Sequence, residues 1–292
     1  MHTTGAVFYA TLQFMIVVVF LLQSRSFLFK PRAVLNSLFT SQIASHTFNK
    51  RRMTKLKANP ISKLQETIRK SVNIDEKFRG YFSKNGPGEY AEHDKFLGVT
   101  NPTIRAIAKE NKDKTTKELQ VLLESEYNEE RFLALVILAE QYKKAGPIEA
   151  EALYQFYLAN MKHVNNWNLV DTSAHLIVGQ HLLDKKRDIL VELAQSNVLW
   201  ERRIAMVSTW MFIRNNDLEW TFKLAELLLH DEHDLMHKAV GWMLREAGKK
   251  EVGPLLSFLD RFAMVMPRTM LRYSLEKLTA AQKKHYMKLK KA

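Results

Sequence analysis

The 292-residue chain contains no cysteine. This absence excludes structural disulfides, thiolate nucleophiles, and zinc or iron-sulfur sites that use cysteine ligands. It agrees with a reducing compartment without proving one. The protein is therefore neither a disulfide-stapled domain nor a cysteine-dependent enzyme.

Acidic residues are absent from the first 59 residues, which hold eight Lys or Arg. The whole chain has a formal net charge of +13, so residues 60–292, with 36 basic and 31 acidic side chains, carry only +5. The globular part is therefore mildly basic overall. A site for a polyanion must come from local clustering of cations there, not from bulk charge.

Residues 5–22 are almost entirely apolar, and at about 1.5 Å per residue they are long enough to cross most of a bilayer's hydrocarbon core. The acid-free stretch 23–59 is rich in Ser, Phe, Arg and Lys, which is typical of transit segments. Three interpretations of residues 1–58 remain open: a signal-like stretch with a transit peptide, a membrane anchor, or an upstream extension of a protein that starts at Met53. All three leave the fold of residues 59–292, which we take as one domain, unaffected.

Localisation depends on the same choice. A start at Met53 predicts a cytoplasmic protein, and retention of residues 1–58 predicts targeting to an organelle. Contact with a membrane is expected only if residues 5–22 are retained.

No run with the alternation of a β-strand appears beyond Asn59, and helical periodicity continues to the chain end. The sequence thus predicts an all-α fold. The predicted helices span residues 61–72, 75–83, 101–111, 116–124, 129–143, 147–161, 167–183, 186–195, 200–215, 218–229, 234–247, 253–262, 268–278 and 280–289. Short connections and a pair length of about 35 to 40 residues predict a helical solenoid, a curved array of helix pairs.

Helix boundaries are marked by capping residues and by proline or glycine. Thr115, Asn128 and Thr279 are expected N-caps, and Pro147 occupies a first-turn position. Gly146 and Gly248 are expected to end helices. Within 129–143 a single apolar stripe is expected, formed by Phe132, Leu135, Ala139 and Tyr142.

Residues 165–171, with the sequence NNWNLVD, place Trp167 and Asp171 on one face at the start of a predicted helix. Asp171 falls inside the apolar arc of that helix, where an unpaired carboxylate is costly. A capping amide, an arginine from another helix or a cationic ligand is expected to compensate it. The alternative is a first-turn carboxylate that favours the helix dipole.

Two further side chains lie where core packing does not place them. On the helix at 200–215, Arg202 projects away from the core face and Arg203 lies at its edge, half-buried, on the same side as Trp210. Trp242 falls on the non-core face of its helix, between Lys238 and Arg245. The alternatives are a snorkelling Arg203 paired to a neighbouring helix, and a Trp242 that packs on one.

Together these residues supply two aromatic rings, a carboxylate and an arginine on alternate helices. Cleavage of an N-glycosidic bond develops an oxocarbenium sugar, which a carboxylate stabilises electrostatically and aromatic faces stabilise as they would any cation. Arginines in the same place hold phosphate bidentately.

Four segments in this order resemble the AlkD-type DNA alkylation repair family, over about residues 60–290. They are residues 93–109 (HDKFLGVTNPTIRAIAK), 166–171 (NWNLVD), 199–205 (LWERRIA) and 241–246 (GWMLRE). The resemblance implies stacked HEAT-like repeats with a concave groove for duplex DNA. It also implies a monofunctional glycosylase that removes N3- or N7-alkylated purines without flipping the base and without a cofactor or metal.

The resemblance assigns the family's catalytic aspartate to Asp171 and its two active-site tryptophans to Trp167 and Trp242. We expect the protein to act as a monomer on double-stranded DNA that contains alkylated purines. The expected DNA-binding residues are Arg203, Arg245, Lys238, Arg202, Lys95, Arg105, Arg268 and Arg272. The runner-up function is a non-catalytic binder of distorted or branched DNA, and a third is a solenoid that binds a protein partner.

Three departures from the family are visible. Asn166 and Asn168 stand where some members have a second aromatic residue and an acid, and Tyr90 matches the early groove aromatic only loosely.

The histidines at 230, 233 and 237 span a helix-helix turn and lack a catalytic glutamate, so we predict no zinc site there.

Overall fold

The computed structural model describes residues 60–73 and 84–289, so the first 58 residues and the predicted helix at 75–83 lie outside the described part. Thirteen α-helices occur in the described part, and the only β pairing there is an isolated bridge between Lys95 and Tyr127. The all-α prediction is confirmed. The helices are α1 (Pro60–Lys70), α2 (Asn101–Glu110), α3 (Thr116–Leu123), α4 (Asn128–Tyr142), α5 (Pro147–Ala159), α6 (Trp167–Ala174), α7 (Asp188–Ala194), α8 (Leu199–Arg214), α9 (Glu219–Leu227), α10 (Asp234–Lys250), α11 (Val252–Phe262), α12 (Arg268–Leu275) and α13 (Ala280–Lys288).

The even-numbered helices α2 to α12 form one layer, in which each packs against the next in chain order. The odd-numbered helices α3 to α13 form a second layer, and each packs on a member of the first. This arrangement is the array of helix pairs predicted from the spacing. None of the described helices is long and apolar enough to span a bilayer.

The first helix layer contains one interruption. The predicted helix at 167–183 is α-helical only as far as Ala174 and continues as a π-helix, His175–Gly179. Here the backbone lies so close to α8 that a Cβ on Gly179 would come within 2.3 Å of the carbonyl oxygen of Ser208. Wide turns of this kind are concentrated at functional sites, and this one begins four residues after Asp171.

Three of the predicted boundaries are confirmed and three are wrong. Pro147 is in the first turn of α5, as predicted. Thr115 and Thr279 each form a complete capping box. Gly248 does not end a helix, because α10 continues to Lys250. A Cβ on Gly248 would come within 2.3 Å of Leu255 Cδ2, so the glycine permits close packing of α11 instead. Gly146 does not terminate α4; it is the residue that precedes α5.

Asn128 is the first residue of α4 and not its N-cap, because its side chain bonds to Asp94 and Asn168 instead of to the helix. The predicted apolar stripe of α4 is buried, but almost all of the helix from 128 to 139 is buried too. The single-stripe prediction is wrong because α4 contacts α1, α2, α3, α5 and α6 and so has neighbours on every side.

The four residues that open α4 are polar, buried and individually bonded to other segments. Glu129 accepts hydrogen bonds from the backbone N–H groups of residues 97–99. Glu130 accepts from Gln65 and Arg69 of α1. Asn128 and Arg131 both bind Asp94. This turn therefore fixes α1 and the loop before α2 relative to the first helix layer.

Candidate functional site

A cleft of about 420 Å³ opens along the first helix layer, between the loop that precedes α2 and helices α6, α8, α10 and α12. It contains seven of the residues singled out in the sequence, together with Lys84, Leu235 and Tyr273. The lining residues are Lys84, Tyr90, Trp167, Asp171, Arg203, Leu235, Lys238, Trp242, Arg245 and Tyr273.

Asp171 lies one helical turn into α6, and its side chain is 20% exposed. Arg203 of α8 binds it bidentately: Nε donates to Oδ1 and Nη2 donates to Oδ2, each at 2.9 Å. An arginine from another helix thus compensates the carboxylate, which was one of the three expected partners. Burial raises the pKa of Asp171 above its ordinary value, and the charge of Arg203 and its hydrogen bonds oppose that rise.

Arg203 is 5% exposed, so the prediction that it would be half-buried is wrong. Its third nitrogen, Nη1, donates to the carbonyl oxygen of Leu235 at the start of α10, at 2.6 Å. The guanidinium group therefore ties α6, α8 and α10 together at the floor of the cleft. Helical periodicity did not indicate this burial, because it depends on a backbone carbonyl 32 residues away in the sequence.

Trp167 is the first residue of α6 and is 39% exposed. Its indole Nε1 donates to the hydroxyl oxygen of Tyr90 at 3.0 Å. The Tyr90 ring in turn packs edge-on against Trp200, with ring centroids 6.3 Å apart. The loosely matched Tyr90 therefore lies in the cleft and holds the Trp167 ring by its polar edge.

Trp242 of α10 also lines the cleft, and its ring packs on other aromatic rings. Its ring meets Trp210 of α8 edge-on at 5.1 Å between centroids, and Trp210 lies 4.5 Å from the ring of His175. Trp242 thus both lines the cleft and packs on a neighbouring helix. The two alternatives given for it from the sequence, a ligand surface and a packing contact, do not exclude each other. Burial lowers the pKa of His175 to about 4, which leaves its imidazole neutral near pH 7.

Gly241 determines how close α12 approaches this wall. A Cβ at that position would lie 2.5 Å from both the carbonyl oxygen of Met270 and the Cβ of Tyr273. A larger side chain would push α12 away. Glycine therefore brings Tyr273 into the cleft beside Trp242.

Besides Arg203, two of the predicted DNA-binding cations line the cleft, and each has an acidic partner. Lys238 pairs with Asp234 at 2.6 Å, and the hydrogen bond from Lys238 lowers the pKa of that carboxyl. Arg245 pairs with Glu246 at 3.1 Å and with Glu276. The Lys238 side chain is 39% exposed and the Arg245 side chain is 20% exposed.

The other five predicted DNA-binding residues lie outside the cleft. Arg202 pairs with Asp231, Lys95 with Glu126, and Arg268 donates to the carbonyl oxygen of Met287. Exposed Arg105 donates to Thr172 Oγ1 at 2.8 Å, one residue after Asp171. Exposed Arg272 has no ion-pair partner within residues 60–73 and 84–289.

Sequence reasoning missed three lining residues. Lys84 lies in the loop before α2, and its positive φ of 40° is a strained conformation for a non-glycine residue. Tyr273 lies one position from the predicted Arg272, and its place in the cleft depends on the contact with Gly241. Leu235 contributes its backbone carbonyl, which no sequence pattern indicates.

A larger cleft, of about 730 Å³, lies at the C-terminal ends of α4 and α8. It holds none of the predicted site residues, and its only carboxylate, on Glu140, is exposed. The smaller cleft is the better candidate because it combines a half-buried carboxylate with two indole rings.

The three histidines at 230, 233 and 237 do not converge. The His233 ring accepts a hydrogen bond from the backbone N–H of Leu235 as the N-cap of α10. The His237 ring bonds to the carbonyl oxygen of Asp231. In the part of the chain that the structure describes, no three His, Asp or Glu side chains lie close enough together to hold a metal ion.

The comparisons with known proteins agree with one another. A solved structure described as a predicted DNA alkylation repair enzyme from Enterococcus faecalis has a similar fold, with a TM-score of 0.55 and 16% sequence identity over 72% of this chain and 98% of that one. No match was found among curated protein sequences. The family model of DNA alkylation repair enzymes matches residues 62–278. The chain therefore belongs to the family of DNA alkylation repair enzymes.

Proposed function

We propose that the protein is a DNA glycosylase that hydrolyses the N-glycosidic bond of cationic N3- or N7-alkylated purines in duplex DNA. The observation that supports this most is the half-buried carboxylate of Asp171 at the base of a cleft whose walls include Trp167 and Trp242. A negative group framed by aromatic faces matches a transition state in which positive charge develops on a sugar.

In the proposed reaction the C1′–N bond breaks, and its electron pair passes to the alkylated base. The base already carries a positive charge and leaves as a neutral molecule, so no general acid is needed. Asp171 stabilises the oxocarbenium sugar and orients the water that attacks C1′. The proton of that water passes to solvent by way of the carboxylate.

The burial of Asp171 favours this role. A carboxylate with few water contacts interacts more strongly with a nearby cation than a solvated one does. Arg203 fixes both carboxylate oxygens in one orientation, so little reorganisation is needed when charge develops. Arg203 thus acts through Asp171 and not as the phosphate clamp expected from the sequence.

The tryptophans and the cations of the cleft have different proposed roles: the tryptophans contact the cationic base or sugar, and the cations bind phosphates. Trp167 and Trp242 present ring faces to a cationic base or sugar, an attraction of about 0.5 to 2 kcal/mol for each contact. Lys238 and Arg245 can exchange their acidic partners for backbone phosphates as the duplex docks. The cleft is partly open to solvent, and Trp167 at its edge is 39% exposed, in keeping with a base that is not flipped into an enclosed pocket.

Incubation of the full chain with duplex DNA methylated at N3 of adenine and N7 of guanine tests the proposal. We expect release of free methylated bases, alkali-labile abasic sites in the DNA, and no cleavage of unmethylated duplex. Salt-dependent binding to branched duplexes without base release would instead indicate the non-catalytic binder.

A further inference from the structure

A buried polar cluster lies beside the start of α6 and shares no side chain with the cleft. Its centre is Asp94, in the loop before α2, whose side chain is 0% exposed. Oδ1 of Asp94 accepts from Arg131, and Oδ2 accepts from the side-chain amides of Asn128 at 2.8 Å and Asn166 at 2.7 Å. His93 Nε2 lies 3.2 Å from Oδ1. The carboxylate is therefore held from several directions.

Asn166 connects this cluster to the cleft. It is the N-cap of α6, directly before Trp167 and five residues before Asp171. An asparagine at this position usually caps the helix by accepting a backbone hydrogen bond. Here the side chain makes no capping bond, donates to Asp94 instead, and leaves its Oδ1 buried without a partner within the described residues.

The orientation of Asn166 thus sacrifices a favourable local interaction for a contact 72 residues away in the sequence. Local rules are broken in this way chiefly where function requires it. The consequence of the contact is geometric, because it fixes the position at which α6 begins.

Asn168 makes a second contact, from the first turn of α6 to the start of α4. Its Nδ2 donates to Asn128 Oδ1 at 2.7 Å, while Asn128 uses its own Nδ2 on Asp94. An aspartate at 168 could not donate to Asn128, so the asparagine that replaces the acid of some relatives suits this arrangement. The first turn of α6 is therefore held through two amide side chains.

We infer that Asp94, acting through Asn166, is a positioning residue that sets the orientation of Trp167 and Asp171 in the cleft. The inference rests on the proposed function for its effect on rate. It concerns groups that do not line the cleft, so it goes beyond the assignment of the cleft residues. The Asp94–Arg131 pair remains intact when Asn166 alone is changed, which makes Asn166 the residue to vary.

Two variants separate the Asp94 contact from helix capping. Asn166→Ala removes both the contact with Asp94 and the capacity to cap the helix. Asn166→Ser can cap the helix but is too short to reach Asp94. We expect each variant to lose about 10²-fold in the single-turnover rate of base release, the scale of loss expected from small misplacements of catalytic groups. Binding to the duplex should change far less than the rate.

Asn160→Ala is the matched control. Asn160 is an equally buried asparagine, 5% exposed, whose amide bonds only to the carbonyl oxygen of Phe156 at the end of α5. A similar loss of stability without a loss of rate is expected there. Equal losses of rate in the variants at 160 and 166 would overturn the inference.

A second readout does not require activity. The fluorescence of Trp167 is obtained as the difference between each protein and its Trp167→Phe derivative. Acrylamide should quench this fluorescence more strongly in both variants at 166, and its quenching should be unchanged in Asn160→Ala. Unchanged quenching at 166 would overturn the positioning role. If the parent protein releases no base, the proposed function fails, and the quenching result still decides this inference.

Discussion

Two carboxylates, Asp94 in the loop before α2 and Asp171 in α6, are each paired with an arginine. The two pairs differ in the other groups that contact the carboxylate. Asp94 is 0% exposed beside Arg131 at 5%, whereas the Asp171 side chain is 20% exposed beside Arg203 at 6%. Asp94 has two amide donors in addition to its arginine. Among the described residues, Arg203 is the only side chain that bonds to the Asp171 carboxylate, which lines the cleft.

The difference explains how one kind of ion pair serves two purposes. A buried charge is tolerated when hydrogen bonds satisfy its remaining lone pairs, as they do at Asp94. Asp171 is half-buried and incompletely compensated, and burial raises its pKa. Incomplete compensation beside an open cleft is typical of a site that expects a charged ligand.

Removal of the two arginines should give the largest contrast in stability. Arg131→Met leaves the fully buried carboxylate of Asp94 without its cation and should lower the free energy of unfolding by about 3 to 5 kcal/mol. Arg203→Met should cost clearly less, because water from the cleft can reach Asp171. Urea denaturation of both variants measures the contrast, and equal losses would contradict it.

His175 extends the comparison to a buried base. Its pKa is lowered from 6.5 to about 4 by burial, so the folded state binds fewer protons than the unfolded state between those values. Stability should therefore fall as the pH is lowered through this window, by about 3 kcal/mol in total from this group.

The matched variant is His175→Phe, which keeps a ring against Trp210. The difference in unfolding free energy between the parent and this variant should diminish or reverse as the pH falls from 6.5 to 4. A constant difference across that range would show that His175 does not titrate as its burial implies.

The acid side of the pH–rate profile for base release should depend on Arg203, the partner of Asp171. The ionised carboxylate is the active form, so activity falls as the pH is lowered through its pKa. Because Arg203 opposes the effect of burial, Arg203→Met should move the acid limb of the rate profile to higher pH. A limb that stays in place would mean that another group controls the rate.

The smallest expected effects concern surface cations. Lys238 lines the cleft, whereas Lys95 is paired with Glu126 outside it. Lys238→Ala should reduce the slope of log binding constant against log salt concentration by about 1, as expected for one lost phosphate contact. Lys95→Ala is the control and should leave the slope unchanged, and equal slopes in both variants would place Lys238 outside the DNA footprint.

The sequence predicted the parts of this account that follow from local periodicity. The 3.6-residue repeat gave the helical fold, placed Asp171 in an apolar arc that needs a partner, and placed Trp242 away from the core face. It also identified Arg203 as unusual, although its full burial depends on the backbone of α10.

The remaining features depend on contacts between distant segments. Asp94 is an unremarkable loop acid in the sequence, and its importance appears only when Asn166 is brought to it from 72 residues away. The π-helix after Ala174 and the approach of Tyr273 to Gly241 depend on packing between neighbouring helices. No periodic pattern encodes such contacts.

The most direct test of the central claim is base release from N-methylated duplex DNA by the parent protein and by Asp171→Asn, with duplex binding measured in parallel. The account predicts a loss of about 10² to 10³-fold in the rate, the cost of removing one preorganised electrostatic group, with binding retained. Unchanged base release by Asp171→Asn would contradict it.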